Sequence, residues 1–249
     1  MKSAKPIFAV LAMTLGAFLL TARGEPLPYP ILKQGGTVLF HGDSITDGGW
    51  LRNSGDLNHI MGQSYPYLVS ARLGLELAER NLTFVNRGVG GSGITAISTY
   101  EALKLKPCLV SIATGINDCV MPDTSPGRGL PPERFEEVYA ALIEKFCAEL
   151  PAAQLVLVVP FTLGKEGSER DVQRRTSLKP YQEAVERLGR KYNLPFVLLQ
   201  PAFDAALAIA PARHWCWDGI HPTYAGHAII EREWLKTVAA IPASATGQP

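Results

Sequence analysis

Three groups of residues in the 249-residue chain have the types and spacing needed for acyl transfer. Thr37-Val38-Leu39-Phe40 reads as a buried strand ended at Gly42, and Ser44 follows, held between Asp43 and Asp47. A serine just past the carboxyl end of a buried strand lies where open α/β sheets bind their ligands. Alone, the same residues would serve as a strand-to-helix turn with an N-cap. A serine hydroxyl is a weak nucleophile until a base takes its proton. Of the five histidines, His221 stands apart because Asp218 precedes it by three residues. One turn then brings the carboxylate to Nδ1–H while Nε2 faces the serine. His41, His59, His214 and His227 read as packed or solvated side chains. The third requirement is a set of donors for the oxyanion, and Gly91, Asn117 and the Ser44 backbone N–H can supply it from two directions.

The elements that must position these residues alternate between strand and helix. Strands are expected at Thr37–Phe40, Leu82–Asn86, Leu109–Ala113, Leu155–Val159 and Phe196–Leu199. A helix over Tyr65–Leu77 would carry Leu68, Ala71, Leu75 and Ala78 at helical spacing. Further helices are expected over Ile94–Leu105, Glu133–Leu150, a stretch ending near Lys191, and Thr223–Ala239. Pro122–Pro132 and the polar Gly164–Lys179 read as loops. This alternation predicts an α/β fold with a five-stranded parallel sheet between helical layers. With the flavodoxin-like strand order 2-1-3-4-5, strand one would lie between two and three. Ser44 would then have the glycine run on one side and Asn117 on the other.

Lys plus Arg number 24 and Asp plus Glu 23, a net charge of +1 that gives no footprint for nucleic acid or an anionic membrane. The amino terminus differs from the rest. Lys2 and Lys5 precede an apolar run over Ile7–Leu20, and Ala22-Arg23-Gly24 has small residues where a signal peptidase reads. The expectation is a signal peptide over residues 1–24 and one domain over 25–249, exported to the periplasm or beyond, with no stable membrane insertion after cleavage. Cys108, Cys119, Cys147 and Cys216 fit no zinc spacing. A Cys119–Cys216 bridge is permitted by export, but four thiols packed as small hydrophobes is the favoured reading.

Gly42-Asp43-Ser44-Ile45-Thr46-Asp47, Asn86-Arg87-Gly88-Val89-Gly90-Gly91, Gly115-Ile116-Asn117-Asp118 and Asp218-Gly219-Ile220-His221-Pro222 resemble, in order, the four signature blocks of the SGNH (GDSL) hydrolase family. The resemblance implies a three-layer α/β/α sandwich with Ser44, Asp218 and His221 as catalytic triad. It places Ser44, Gly91 and Asn117 in the oxyanion hole, and implies no metal or organic cofactor. The wording of the second and third blocks is most similar to bacterial carbohydrate acetyl esterases such as acetylxylan esterases. Gly48-Gly49-Trp50 departs from that subgroup, where Ala-Gly-Arg or Cys-Gly-Arg is common. The expected substrate is an acylated carbohydrate or another small ester, with Asp43, Trp50 and Trp217 as candidate contacts. Lysophospholipid and thioester substrates are the alternatives, and homo-oligomerisation stays open.

Gly88-Val89-Gly90-Gly91-Ser92-Gly93 also satisfies the dinucleotide fingerprint, but the next strand ends in Ala113-Thr114-Gly115 with no acid for a ribose hydroxyl. Thr46 stands where an α/β-hydrolase nucleophile elbow needs glycine. Asp218, His221 and His227 lack the H-E-x-x-H type of metal spacing. A silent carbohydrate-binding relative would be expected to have lost Ser44, His221 or an oxyanion donor, and all are present.

Overall fold

A computed structural model describes residues 29–52, 55–124, 129–164 and 169–243. The proposed signal peptide lies outside the described residues. The five strands β1 (Thr37–Gly42), β2 (Thr83–Gly88), β3 (Leu109–Ala113), β4 (Gln154–Val158) and β5 (Phe196–Val197) form one parallel sheet. Their order is β2-β1-β3-β4-β5, the flavodoxin-like order expected. The register is what matters for function. Gly42 is level with Gly88 on one side and Ala113 on the other, and Ala113 with Val158. The carboxyl ends therefore finish at one edge, and every polar segment that follows a strand is delivered there.

The helices are α1 (Ser44–Asp47), α2 (Tyr65–Glu76), α3 (Tyr100–Leu105), α4 (Ile116–Thr124), α5 (Pro132–Glu149), α6 (Glu169–Lys191), α7 (Gln200–Ala206), α8 (Ala212–Trp215) and α9 (Tyr224–Ala239). Alternation along β1 shows how they are layered. Phe40 packs its ring 5.8 Å from Tyr65 of α2 and 5.5 Å from Trp234 of α9, while the next residue, His41, lies 6.3 Å from Phe146 of α5. The sheet is thus covered on both faces, and β1, β3 and β4 are buried almost throughout because neither face meets water. Trp234 is fully buried, and its indole N–H donates to Ser111 Oγ on β3 at 3.0 Å, so α9 is joined to the sheet by a polar bond as well as by packing.

Some local expectations change. The stripe α2 buries is Tyr65, Val69 and Leu73, while Leu75 is 81% exposed. Apolar residues stand on both sides of this helix, and the side turned to the sheet is the one whose Tyr65 packs on Phe40. The expected helix over 94–105 is broken into a 3-10 turn (Ile94–Ala96) and α3, because Ile97 is extended and the Asp118 carboxylate holds the Ile94 N–H at 3.0 Å. The segment expected as a loop before Lys179 is helical from Glu169, and α6 continues through Pro180. No disulfide joins the cysteines: all four are thiols, and both Cys119 and Cys216 pack against the hydrophobic core. Burial pushes the Cys216 thiol up to about 12.

Candidate active site

Ser44 opens α1, two residues beyond the end of β1. The turn is fixed locally at both ends. Asp43 is the N-cap, its carboxylate accepting the Ile45 N–H at 2.9 Å, and Gly48 closes the helix in the left-handed conformation at φ 54. Asn86, 1% exposed, ties this turn to its surroundings. Its amide donates to the Thr46 and Met61 carbonyls at 2.8 and 2.9 Å, while its Oδ1 accepts the Gly88 N–H at 2.8 Å. Gly88 has to be glycine here, since an added Cβ would stand 2.3 Å from the Asp47 nitrogen.

His221 reaches Ser44 from the other end of the chain, with Nε2 2.9 Å from Oγ. Its Nδ1 is 2.7 Å from Asp218 Oδ2, and the second carboxylate oxygen accepts the backbone N–H groups of Ile220 and His221 at 3.0 and 2.7 Å. A carboxylate on Nδ1 fixes the tautomer that leaves Nε2 as an acceptor for the serine hydroxyl. Burial acts to raise the Asp218 pKa, but the hydrogen bonds from His221 and Ile220 outweigh it, so the carboxyl lies below its ordinary range and stays ionised. The loop is anchored through Gly219, whose carbonyl accepts from the Leu163 N–H, the Gly164 N–H and the Thr162 hydroxyl at 3.0, 3.2 and 2.8 Å.

The expected oxyanion donors gather at the same edge. Asn117 lies in the first turn of α4, and one of its amide N–H groups donates to the Ser92 carbonyl at 2.9 Å, which orients the amide and leaves the second N–H. Gly91 adopts φ 74, a left-handed conformation that a side chain would strain. Among the described residues no acceptor takes the backbone N–H of Gly91 or of Ser44. The glycine loop is held by residues the sequence reading left without a role. Asp47 accepts the Gly49 and Gly90 N–H groups at 3.0 and 2.9 Å, and pairs with Arg52 at 2.8 Å.

Two of the candidate substrate contacts, Asp43 and Trp50, already have partners within the protein. Asp43 is 2% exposed and is occupied as a helix cap beneath Ser44, and burial pushes its carboxyl up to about 7. Trp50 donates its indole N–H to the Gly88 carbonyl at 2.9 Å, and its ring carries the Arg52 and Arg87 guanidinium groups at 4.8 and 5.2 Å. It buttresses the glycine loop. Trp217 is 68% exposed and stacks on the His221 ring at 6.0 Å, so it is brought to the mouth of the site. His41 and His227 are buried, and desolvation pushes both down to about 4, leaving neutral rings away from the Ser44 hydroxyl. Among the described residues no three His, Cys, Asp or Glu side chains converge as a metal site.

A parallel sheet ordered 2-1-3-4-5, with a serine after its first strand facing a histidine from its last loop, defines an SGNH-type carboxylic ester hydrolase. The GDSL-like lipase/acylhydrolase family model matches residues 40–229, and the chain belongs to that family. It is 31% identical over 212 residues to an acetylxylan esterase from Geobacillus stearothermophilus, covering 83% of this chain and 95% of the relative. A solved structure of the acetylxylan esterase Axe2 from that organism superposes with a TM-score of 0.75 at 27% identity, over 86% of this chain and 99% of the other. An α/β hydrolase enzyme from the metagenome of Lake Arreo superposes at 0.74 with 25% identity, over 85% and 99%. Solved variants of Axe2 include a serine-to-alanine and an aspartate-to-alanine change, each described as a catalytic mutant.

Proposed function

We propose that the chain is an exported serine esterase that removes short acyl groups, acetyl foremost, from a polysaccharide or oligosaccharide. The observation that carries the mechanism is the continuous hydrogen-bonded line from Ser44 Oγ to His221 Nε2 at 2.9 Å and from His221 Nδ1 to Asp218 at 2.7 Å. Ser44 Oγ attacks the ester carbonyl as its proton passes to Nε2, and the oxyanion that forms is held by the N–H groups of Ser44, Gly91 and Asn117. Asp218 stabilises the imidazolium. The carbonyl reforms as the bond to the sugar oxygen breaks, and His221 returns its proton to that oxygen. Water, deprotonated by the same ring, then attacks the acyl-enzyme, and the carboxylic acid leaves as Ser44 recovers its proton.

The carbohydrate part of the reading is supported by the likeness to acetylxylan esterases over most of both chains, and by Trp217, an open aromatic face beside the base. Export rests on the charged and apolar pattern of residues 1–24. Among the described residues no helix is long and apolar enough to cross a membrane.

The test is hydrolysis of p-nitrophenyl esters from acetate to long chains, alongside acetate release from acetylated xylan, with Ser44→Ala as blank. Activity confined to short esters together with released acetate is expected. Activity rising with chain length moves the substrate to lipid esters, and full activity in Ser44→Ala removes the mechanism.

A further inference from the structure

Between the segment after α1, the start of α2 and the start of α9 the surface opens into a groove of about 1020 Å³, its solvent-facing mouth included. Two of its walls continue along the chain from the segments that carry Ser44 and His221. Gly49 follows the cap of the helix that begins at Ser44, and the Gln63 N–H holds the Gly48 carbonyl at 2.8 Å, fixing that wall. On the opposite side Tyr224 and His227 line the groove on the helix that starts just after His221.

The chemistry of the lining is specific. Asn58, His59, Gln63 and Ser64 bring hydrogen-bonding groups, Leu51 and Leu68 apolar surface, and Tyr67 and Tyr224 aromatic rings. Among the described residues no Asp, Glu, Lys or Arg lines it. His227 is kept neutral by burial, its Nδ1 accepting the Tyr65 N–H at 3.2 Å, and the exposed His59 is paired with Asp56. Tyr224 is 86% exposed and Tyr67 46%. Two open aromatic rings in one concave surface are the kind of apolar patch that binding sites use.

We infer that this groove is a second subsite for the same substrate, binding an uncharged sugar segment of the glycan whose acyl group lies at Ser44. The inference rests on the esterase reading and deepens it. Sugar rings present apolar C–H faces to aromatic platforms and a rim of hydroxyls to neutral donors and acceptors. An uncharged lining matches such a ligand and offers nothing to a phosphate, a carboxylate or a charged lipid headgroup. Trp217, stacked on His221 at 6.0 Å, offers a further open aromatic face beside the base.

The experiment combines Tyr67→Ala, Tyr224→Ala, the double variant and Tyr224→Phe. In wild type, kcat/KM on acetylated xylo-oligosaccharides should rise with chain length. Each alanine variant should raise KM for the longer oligosaccharides by roughly 3- to 10-fold, the worth of one aromatic contact. Turnover of p-nitrophenyl acetate should be unchanged, and Tyr224→Phe should retain the length dependence. Binding of deacetylated xylo-oligosaccharides to Ser44→Ala, measured calorimetrically with and without the tyrosine changes, reads the groove separately from hydrolysis. Wild-type length dependence that survives the double variant overturns the inference while leaving the esterase intact. So does a tyrosine variant that breaks up an oligomer on size exclusion, which would make the groove a contact between copies. Absence of p-nitrophenyl ester hydrolysis in wild type removes the underlying esterase reading instead.

Discussion

Replacing Asp47 with alanine is the perturbation that tests how the oxyanion donors are held. The carboxylate accepts the Gly90 N–H at 2.9 Å and the Gly49 N–H at 3.0 Å, and it is the Arg52 partner at 2.8 Å. Hydrogen bonds to a charged group contribute about 1.5–3 kcal/mol each. The Arg52 side chain is 44% exposed, so its share of the ion pair is small, of order 1 kcal/mol or less. The Gly90 bond is the one that matters for chemistry, because the adjacent Gly91 N–H is a proposed oxyanion donor. Removal of an oxyanion donor outright costs about 10²–10³ in kcat. Asp47→Ala leaves the donor present but loosely aimed, so kcat on p-nitrophenyl acetate should fall by roughly 10- to 100-fold with KM little changed. Arg52→Ala removes the exposed partner with its Gly88 and Trp50 contacts but leaves Asp47 on both glycine N–H groups, and should change kcat by less than about threefold. Urea unfolding monitored by circular dichroism reports stability separately, where Asp47→Ala should lose about 1–3 kcal/mol. A folded Asp47→Ala protein with wild-type kcat would refute the reasoning, as would Arg52→Ala proving the more damaging change.

Asp218→Asn keeps the loop shape but lets Nδ1 lose its fixed proton, and kcat should fall roughly 10⁴-fold in a stopped assay while melting temperature holds. Asp43 titrates at about 7 in the folded protein, above its unfolded value, so its ionisation destabilises the fold progressively as pH rises through that window. Asp43→Asn should therefore gain in melting temperature over wild type at pH 8 and show little difference at pH 4, and an equal gap at both values would count against a buried titrating carboxyl. Trp234→Ala removes a fully buried indole and its bond to Ser111, and should cost about 3–5 kcal/mol in chemical denaturation.

The sheet was legible in the sequence because β1, β3 and β4 are short, mostly apolar runs buried on both faces, and Gly42, Thr114-Gly115 and Pro160 punctuate their ends. The flavodoxin-like strand order, with strand one between two and three, was the arrangement that lets the glycines, Ser44 and Asn117 meet, and it is the order observed. The His221–Asp218 spacing carried the loop geometry directly, since three residues are one turn. What escaped reading was set by packing across the chain. The first turns of α6 are polar, and Pro180 reads as a break, whereas Leu178, Tyr181, Val185 and Leu188 bury a stripe that carries the helix past it. The face of α2 was misassigned because both of its sides carry apolar residues, and the side turned to the sheet is the one whose Tyr65 packs on Phe40. Asp43 and Asp47 flank Ser44 symmetrically in sequence, yet one is turned inward as a cap and the other outward to the glycine loop. That distinction lies in the direction of two side chains on one helical turn, which composition does not encode.

The line from Ser44 to His221 spans 177 residues, and the carbonyl of Gly219 fastens its far end to the segment that leaves β4. Activity is therefore the latest property the chain can acquire as it folds. A chain released before the Asp218–His221 loop would carry the proposed nucleophile without its proposed base. Contacts of such long separation are the slow ones to form. In refolding, circular dichroism should recover ahead of esterase activity, and the lag between them times the closing of the Gly219 clasp on an already assembled sheet.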